Sequence, residues 1–198
     1  MKKYAIIFVS AFILTSCADQ PNNEPTLQER AELFAEEQTK KLLYIPESYD
    51  PVETKIDSAY TSIYNDSKIF AAAGVILKHQ QENFYYFHIT ERESKMLLSN
   101  VSIIKDRAAQ ITKEFCGWEV YHRCRAKDRL GNPDFITILY YTDNEFSDAI
   151  VTYSLDDDDK YNFEAYKEVI DCAIDGEYDE IYKYREFEVP IFDSTFDE

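Results

Sequence analysis

Cys17 is the first side chain whose setting suits chemistry. It follows Leu14-Thr15-Ser16, behind Lys2, Lys3 and an apolar run from Tyr4 to Leu14. A positive start, a short apolar stretch and small residues before a cysteine make the signal of an exported lipoprotein. The thiol is then the acylation point and the first mature residue. The apolar run is shorter than the roughly 20 residues a membrane span needs. Acyl chains on Cys17 would bury methylenes at about 0.8 kcal/mol each, enough together for stable anchoring.

A second pattern lies near the middle of the chain. Arg123, Arg125, Lys127 and Arg129 occupy every second position, with Tyr121 in the same phase. A strand turns alternate side chains to one face, so these residues are expected to project together. Like charges in a row repel, which calls for an offset. Internal acids such as Glu119 or the carboxylates of the C-terminal tail would supply it, or an external anionic ligand would. The forks of Arg123 and Arg125 suit bidentate contact with carboxylates, and Tyr121 would add an aromatic floor. Tyr121, Arg123, Arg125, Lys127 and Arg129 therefore form the candidate strip for an anion or a partner.

Other reactive residues fall into weaker arrangements. Cys116 or Cys124 with His122 resembles a nucleophile and base, but His122 and Cys124 share a strand face with Trp118 and Val120, the pattern of a core. Once Cys17 carries lipid, Cys116, Cys124 and Cys172 allow one bridge at most. Cys116 and Cys124 would sit about 26 Å apart on a straight strand, too far to join. A Cys124 to Cys172 bridge and three buried thiols both remain open. His79, His88 and His122 lack the spacing of zinc ligands, so no metal and no cofactor is expected. Asp156-Asp157-Asp158-Asp159 lacks the alternation and glycine of a calcium loop and suits a helix N-terminus. No G-x-S-x-G, H-E-x-x-H, phosphate loop or dinucleotide turn is present. A pair of hydrolytic carboxylates is not readable from sequence alone.

The elements that must hold these residues are legible from spacing. Thr26 and Glu29 form a capping box that opens a helix with Leu27, Ala31, Phe34, Leu42 and Leu43 along one stripe, stopped by Pro46. A strand is expected from Val52 to about Tyr60. Residues 67–115 read as a helical hairpin: Ile69, Phe70, Ala73, Ile76 and Leu77 mark its first helix, and Phe84 to Phe87 continue it or form a strand. Thr90 and Glu93 cap the second helix, whose seam runs Leu97, Val101, Ile104, Ala108, Ile111, Phe115. From Gly117 to Lys127 polarity alternates with period two. Turns at Leu130 to Pro133 and Thr142 to Glu145 then separate strands at Phe135 to Tyr141 and Phe146 to Leu155. A last helix is expected from about Tyr161 to Asp175, stopped by Gly176, with a possible edge strand at Phe187 to Phe192 in the tail.

The fold class is thus α+β: an antiparallel meander packed against helices, with a helical hairpin inserted. Residues 1–16 read as the signal peptide, 17–25 as a lipidated tether, and 26–198 as one globular domain. A net charge of −17 excludes nucleic acid and argues against direct contact with anionic lipid heads. Apolar content of 45% with only four glycines and six prolines argues against disorder.

Two segments carry a resemblance. Leu43-Tyr44-Ile45-Pro46-Glu47-Ser48-Tyr49-Asp50-Pro51-Val52 and His122-Arg123-Cys124-Arg125-Ala126-Lys127-Asp128-Arg129-Leu130-Gly131 resemble an L-x-x-P-x-S-Y-x-P-V segment and an H-x-x-R-A-K-N-x-x-G strand. Both belong to small uncharacterised lipoproteins of Bacteroides and relatives. Asp128 stands where those proteins tend to have Asn. The resemblance implies source and an envelope compartment more than function, since that family has no established activity. It also implies that the segments around Tyr49 and Arg125 form one structural unit, a helix on a short antiparallel sheet.

The expected protein is a non-catalytic envelope lipoprotein, held to a membrane through Cys17 and binding another envelope protein through the hairpin or the strip. Ala18 rather than Asp after Cys17 points to the outer membrane. The alternative is a surface glycan-binding lipoprotein using some of the sixteen tyrosines and thirteen phenylalanines.

Overall fold

A computed structural model describes residues 24–82, 89–156 and 162–183. In order along the chain these are α1 (Leu27–Leu42), a 3-10 turn (Pro46–Ser48), β1 (Asp50–Tyr60), α2 (Ser67–Glu82), α3 (Glu91–Ala108), β2 (Phe115–Lys127), β3 (Pro133–Thr142), β4 (Ala149–Ser154), α4 (Phe163–Asp175) and α5 (Glu177–Ile181). The four strands form one antiparallel sheet in the order β1-β2-β3-β4, so the chain is a mixed α+β fold built on a meander. Strands β1 and β2 are neighbours, yet α2 and α3 lie between them in sequence. The helical hairpin is therefore an insertion into one strand connection.

The sheet has a helical layer on each face. Val120, Ile138 and Tyr140 pack against Ala31, Phe34 and Ala35 of α1. Leu139, Val151 and Tyr153 point the other way, into a larger core with residues from α2, α3, α4 and α5. Tyr153 is the hub of that core: its ring meets Phe70, Phe163 and Tyr166 at 5.2, 5.0 and 5.5 Å, and its hydroxyl donates to the Tyr64 carbonyl at 2.6 Å.

Local chemistry explains the helix starts. Both capping boxes form, with Thr26 Oγ1 accepting from the Glu29 amide and Thr90 Oγ1 from the Glu93 amide, each at 3.2 Å. Asp66 accepts from the Lys68 and Ile69 amides at the start of α2 and from Arg107 Nη2, 2.5 Å away at the end of α3. This ties the open end of the hairpin. Burial alone would raise the Asp66 carboxyl, but the Arg107 contact and the two amides outweigh it and hold the group below its ordinary value.

Several boundaries differ from the expectation. Helix α3 ends at Ala108 and Phe115 opens β2, because the intervening segment is drawn to the end of β1. There Thr61 Oγ1 donates to the Thr112 carbonyl and accepts from the Glu114 amide. Leu42 is 57% exposed rather than on the buried stripe, which runs Ala31, Phe34, Ala35, Thr39 instead. Strand β4 starts at Ala149, not Phe146. Asp143 gathers the Glu145 and Ser147 amides, and Phe146 takes a left-handed backbone at φ 58°, so this stretch is a turn. Helix α4 is capped by Asn162, whose side chain accepts from the Ala165 amide at 3.0 Å. Gly176 stops it at φ 84° as expected, but α5 follows immediately, where the chain was expected to pass into its tail. Phe84 to Phe87 and Phe187 to Phe192 lie outside the described residues, as do Cys17, residues 18–23 and Asp157 to Asp159. Among the described residues no helix is long and apolar enough to cross a membrane.

Candidate functional site

Strand β2 runs between β1 and β3 and presents alternate side chains to opposite faces. Val120, His122, Cys124 and Ala126 are buried on one face, Val120 against α1, while Arg123, Arg125 and Lys127 are exposed on the other. Tyr121 is half-buried at the margin of the helical core. Arg129 lies past the strand end, in the turn toward β3. The structure thus brings Tyr121, Arg123, Arg125 and Lys127 together along one face of β2, while Arg129 stands apart in the turn, against Tyr44.

What offsets the repulsion is aromatic more than acidic. The Arg123 and Arg125 guanidinium carbons lie 4.6 and 5.0 Å from the centre of the Phe135 ring. Lys55 Nζ lies 5.3 Å from the Tyr121 ring, and the Arg129 guanidinium 4.2 Å from the Tyr44 ring. Each cation meets the negative face of a ring quadrupole, an attraction worth about 0.5–1 kcal/mol at an exposed site. Arg125 also has Asp50 at 3.9 Å, a long exposed ion pair of little energetic weight. Glu119, the expected counter-ion, interacts with Tyr141 instead. Lys55 spends its charge on Glu53 at 2.9 Å. Among the described residues, Arg123 and Lys127 have no carboxylate within ion-pair distance.

Phe135, Tyr44 and Lys55 were missed by sequence reasoning. Phe135 had a signal: the turn at Leu130 to Pro133 is short, and a tight antiparallel connection sets Arg125 opposite Phe135, as the register shows.

The same strand carries a buried polar cluster on its other face. His122 is fully buried, with Nδ1 2.9 Å from Thr54 Oγ1 and Nε2 3.1 Å from the Tyr49 hydroxyl. Each ring nitrogen has a hydroxyl that can donate or accept, so a neutral imidazole is satisfied in either tautomer. Burial lowers its pKa, opposed by the charge of Glu36. Cys124 is buried beside it, and burial, with Asp156 and Asp50 adding to it, pushes the thiol up to about 11. That is the opposite of an activated nucleophile. Cys116, Cys124 and Cys172 are free thiols. Cys116 falls out of the regular alternation of β2: Ala59 pairs with Gly117 and Tyr60 with Phe115, leaving Cys116 as a bulge residue whose sulfur receives the Asn65 amide group at 3.8 Å. No group of three His, Cys, Asp or Glu among the described residues is arranged to hold a metal.

The neutral His122 makes a pH prediction. Its folded pKa lies below the unfolded value of about 6.5, so the unfolded chain binds the proton first as pH falls. The stabilisation is present above that value and is lost as pH drops through the folded pKa. Urea unfolding from pH 7 to 5 is expected to show a downward slope that His122→Gln reduces. An unchanged slope would show that His122 does not contribute it.

The two segments of the resemblance meet around this cluster. Tyr49 bonds His122, Ser48 Oγ accepts from the Lys127 amide at 2.8 Å, and Asp50 pairs with Arg125. Comparison with protein-family models, curated proteins and solved structures returns no match.

Proposed function

We propose that the chain is a non-catalytic lipoprotein of the bacterial envelope, anchored to the outer membrane through acylated Cys17, and that it binds another envelope protein through the β2 strip. The observation that carries the binding surface is a pair of exposed cations, Arg123 and Lys127, that have no carboxylate partner among the described residues, on a chain of net charge −17. An acidic protein has carboxylates to spare, yet here the guanidinium groups of Arg123 and Arg125 lie against the Phe135 ring. Arginine and aromatic residues are also the types that dominate interface energetics.

Affinity capture from native envelopes tests this reading. The wild-type protein is expected to recover a specific acidic partner, and Arg123→Glu with Arg125→Glu to weaken it at least tenfold, since like charges then face each other. Recovery of no specific protein, or of one that the double variant still holds, would sink the strip's role. Recovery of polysaccharide instead would favour glycan binding. For that, the exposed Tyr60 and Phe115 rings, 6.0 Å apart, are the best-placed platform.

A further inference from the structure

Where β1 finishes and β2 begins, one end of the sheet carries a row of rings. Tyr60 pairs with Phe115 across the two strands, and their rings lie 6.0 Å apart. Phe115 meets Trp118 at 5.5 Å, and Trp118 stacks on Phe146 at 6.4 Å. The row runs from the core outward. Trp118 and Phe146 pack against the α1 cluster, while Tyr60 is 47% exposed and Phe115 44%. Helix α1 begins too late to cover it. Its first turn stands over Thr54, where Gln28 Nε2 donates to the carbonyl at 3.0 Å. From there β1 runs on for roughly 20 Å to Tyr60.

Cations flank the rings. Lys113 Nζ lies 5.3 Å from the centre of the Tyr60 ring, and the Arg30 guanidinium carbon 5.1 Å from that of Phe146. Carboxylates balance them. Glu145 pairs with Arg30 at 3.4 Å, Glu114 accepts from Thr112 Oγ1, and Asp143 is held by the Glu145 and Ser147 amides. The indole nitrogen of Trp118 donates to the Asn144 carbonyl at 3.4 Å. This end is therefore apolar in its rings, polar at their tips and close to neutral in charge. Tyrosine and tryptophan rings favour the boundary between hydrocarbon and lipid headgroups, where the body is buried and the tip stays wet, and lysine and arginine stems reach out to the headgroups beside them.

The chain enters the fold at this same end. From Cys17 to Leu27 it can extend about 35 Å at most. That is less than the roughly 40 Å width of a compact domain of this length. An anchor at Cys17 thus brings the start of α1, and the rings beside it, to the lipid surface before the opposite end. We propose that Tyr60, Phe115 and Trp118 rest on the zwitterionic headgroup layer of the bilayer that holds the anchor, an inference that rests on the acylation of Cys17. A short tether raises the effective concentration of the lipid surface into the millimolar range. Three rings then suffice to hold the orientation of a domain whose net charge of −17 gives it no attraction to anionic lipid.

Trp118 is the only tryptophan, so its emission reports this surface directly. The mature chain is prepared with a hexahistidine tag in place of Cys17 and held on phosphatidylcholine vesicles that carry a nickel-chelating lipid, with and without bromine on the acyl carbons nearest the headgroups. The tag stands in for the acyl chains, so the outcome does not depend on whether Cys17 is acylated; detergent phase partitioning of the native protein beside Cys17→Ala reports that separately. Bromine is expected to remove about half of the Trp118 emission, because interfacial side chains sit roughly 5–10 Å into the boundary. Tyr60→Glu with Phe115→Glu, at two exposed positions, should restore the emission at an unchanged melting temperature. Ile181→Glu, exposed on α5, should leave the quenching as it is in the wild type. Quenching that is absent in the wild type, that survives the double variant, or that Ile181→Glu removes equally would overturn the proposal. So would stronger quenching on phosphatidylglycerol than on phosphatidylcholine. A soluble dextran that shifts Trp118 emission where brominated lipid does not would overturn it too, and would give the rings to a glycan.

Discussion

Gly117→Ala is expected to destabilise the fold by about 3–5 kcal/mol, read from urea unfolding, combining backbone strain with overpacking against main chain. Gly117 sits at φ 140°, a conformation that side-chain-bearing residues rarely adopt. An added Cβ would also fall inside contact distance of the Thr142 carbonyl oxygen and within 2.8 Å of Asp143 Cα. Those atoms are backbone of the adjacent strand end and its turn, so they cannot rotate away as a side chain would. Relief would require separating β2 from β3 beside the bulge at Cys116. Gly131→Ala is the control. Its φ of 86° carries a similar strain, but a Cβ there meets nothing within 4 Å. It should cost about 1 kcal/mol, the low end of strain alone. Equal losses in the two variants would show that the crowding at Gly117 carries no weight.

The second large loss is expected at Tyr153. Replacing a buried ring by alanine removes its transfer energy and leaves a cavity, typically about 3–5 kcal/mol in total. Tyr153 belongs near the top of that range because its ring meets four aromatic neighbours, from α2, β3, the start of α4 and α4 itself, which cannot all collapse inward together. Tyr153→Phe keeps the ring and leaves the Tyr64 carbonyl without its donor, which should cost about 1–2 kcal/mol. Calorimetric unfolding of both variants separates the two contributions. A Tyr153→Ala loss no larger than that of Tyr153→Phe would mean that the ring is not the hub its contacts describe.

The parts of this fold that were readable in advance depend on near neighbours. A capping box joins residues three apart, so Thr26 with Glu29 and Thr90 with Glu93 could be read directly. The alternation in β2 reports one half-buried strand, and short connections imply the meander. The misreadings arose where a distant residue decides. Phe115 continues the helical spacing of Leu97, Val101 and Ile104, yet Thr61, far away in sequence, takes the preceding segment into the sheet. Cys116 falls out of the regular alternation of β2 because one extra residue is accommodated opposite Ala59 and Tyr60. At the site, the positions of the cations were legible but their partners were not, since Phe135, Tyr44 and Lys55 reach the strip only through strand register or chain folding. His122 was correctly placed in the core, while Tyr49 and Thr54, which satisfy it, gave no local signal.

Among the described residues the four-stranded meander has two outer strands, and an outer strand carries backbone groups that another chain could adopt as a template. In β1 the register slips at Val52, next to Pro51, which has no amide to donate, and Glu53 and Lys55 follow. In β4 the register slips at Ile150, leaving a short regular stretch. These irregularities deny a neighbouring copy the long flat edge that strand-by-strand growth requires. Molecules crowded together could then collide often without their sheets merging into fibres.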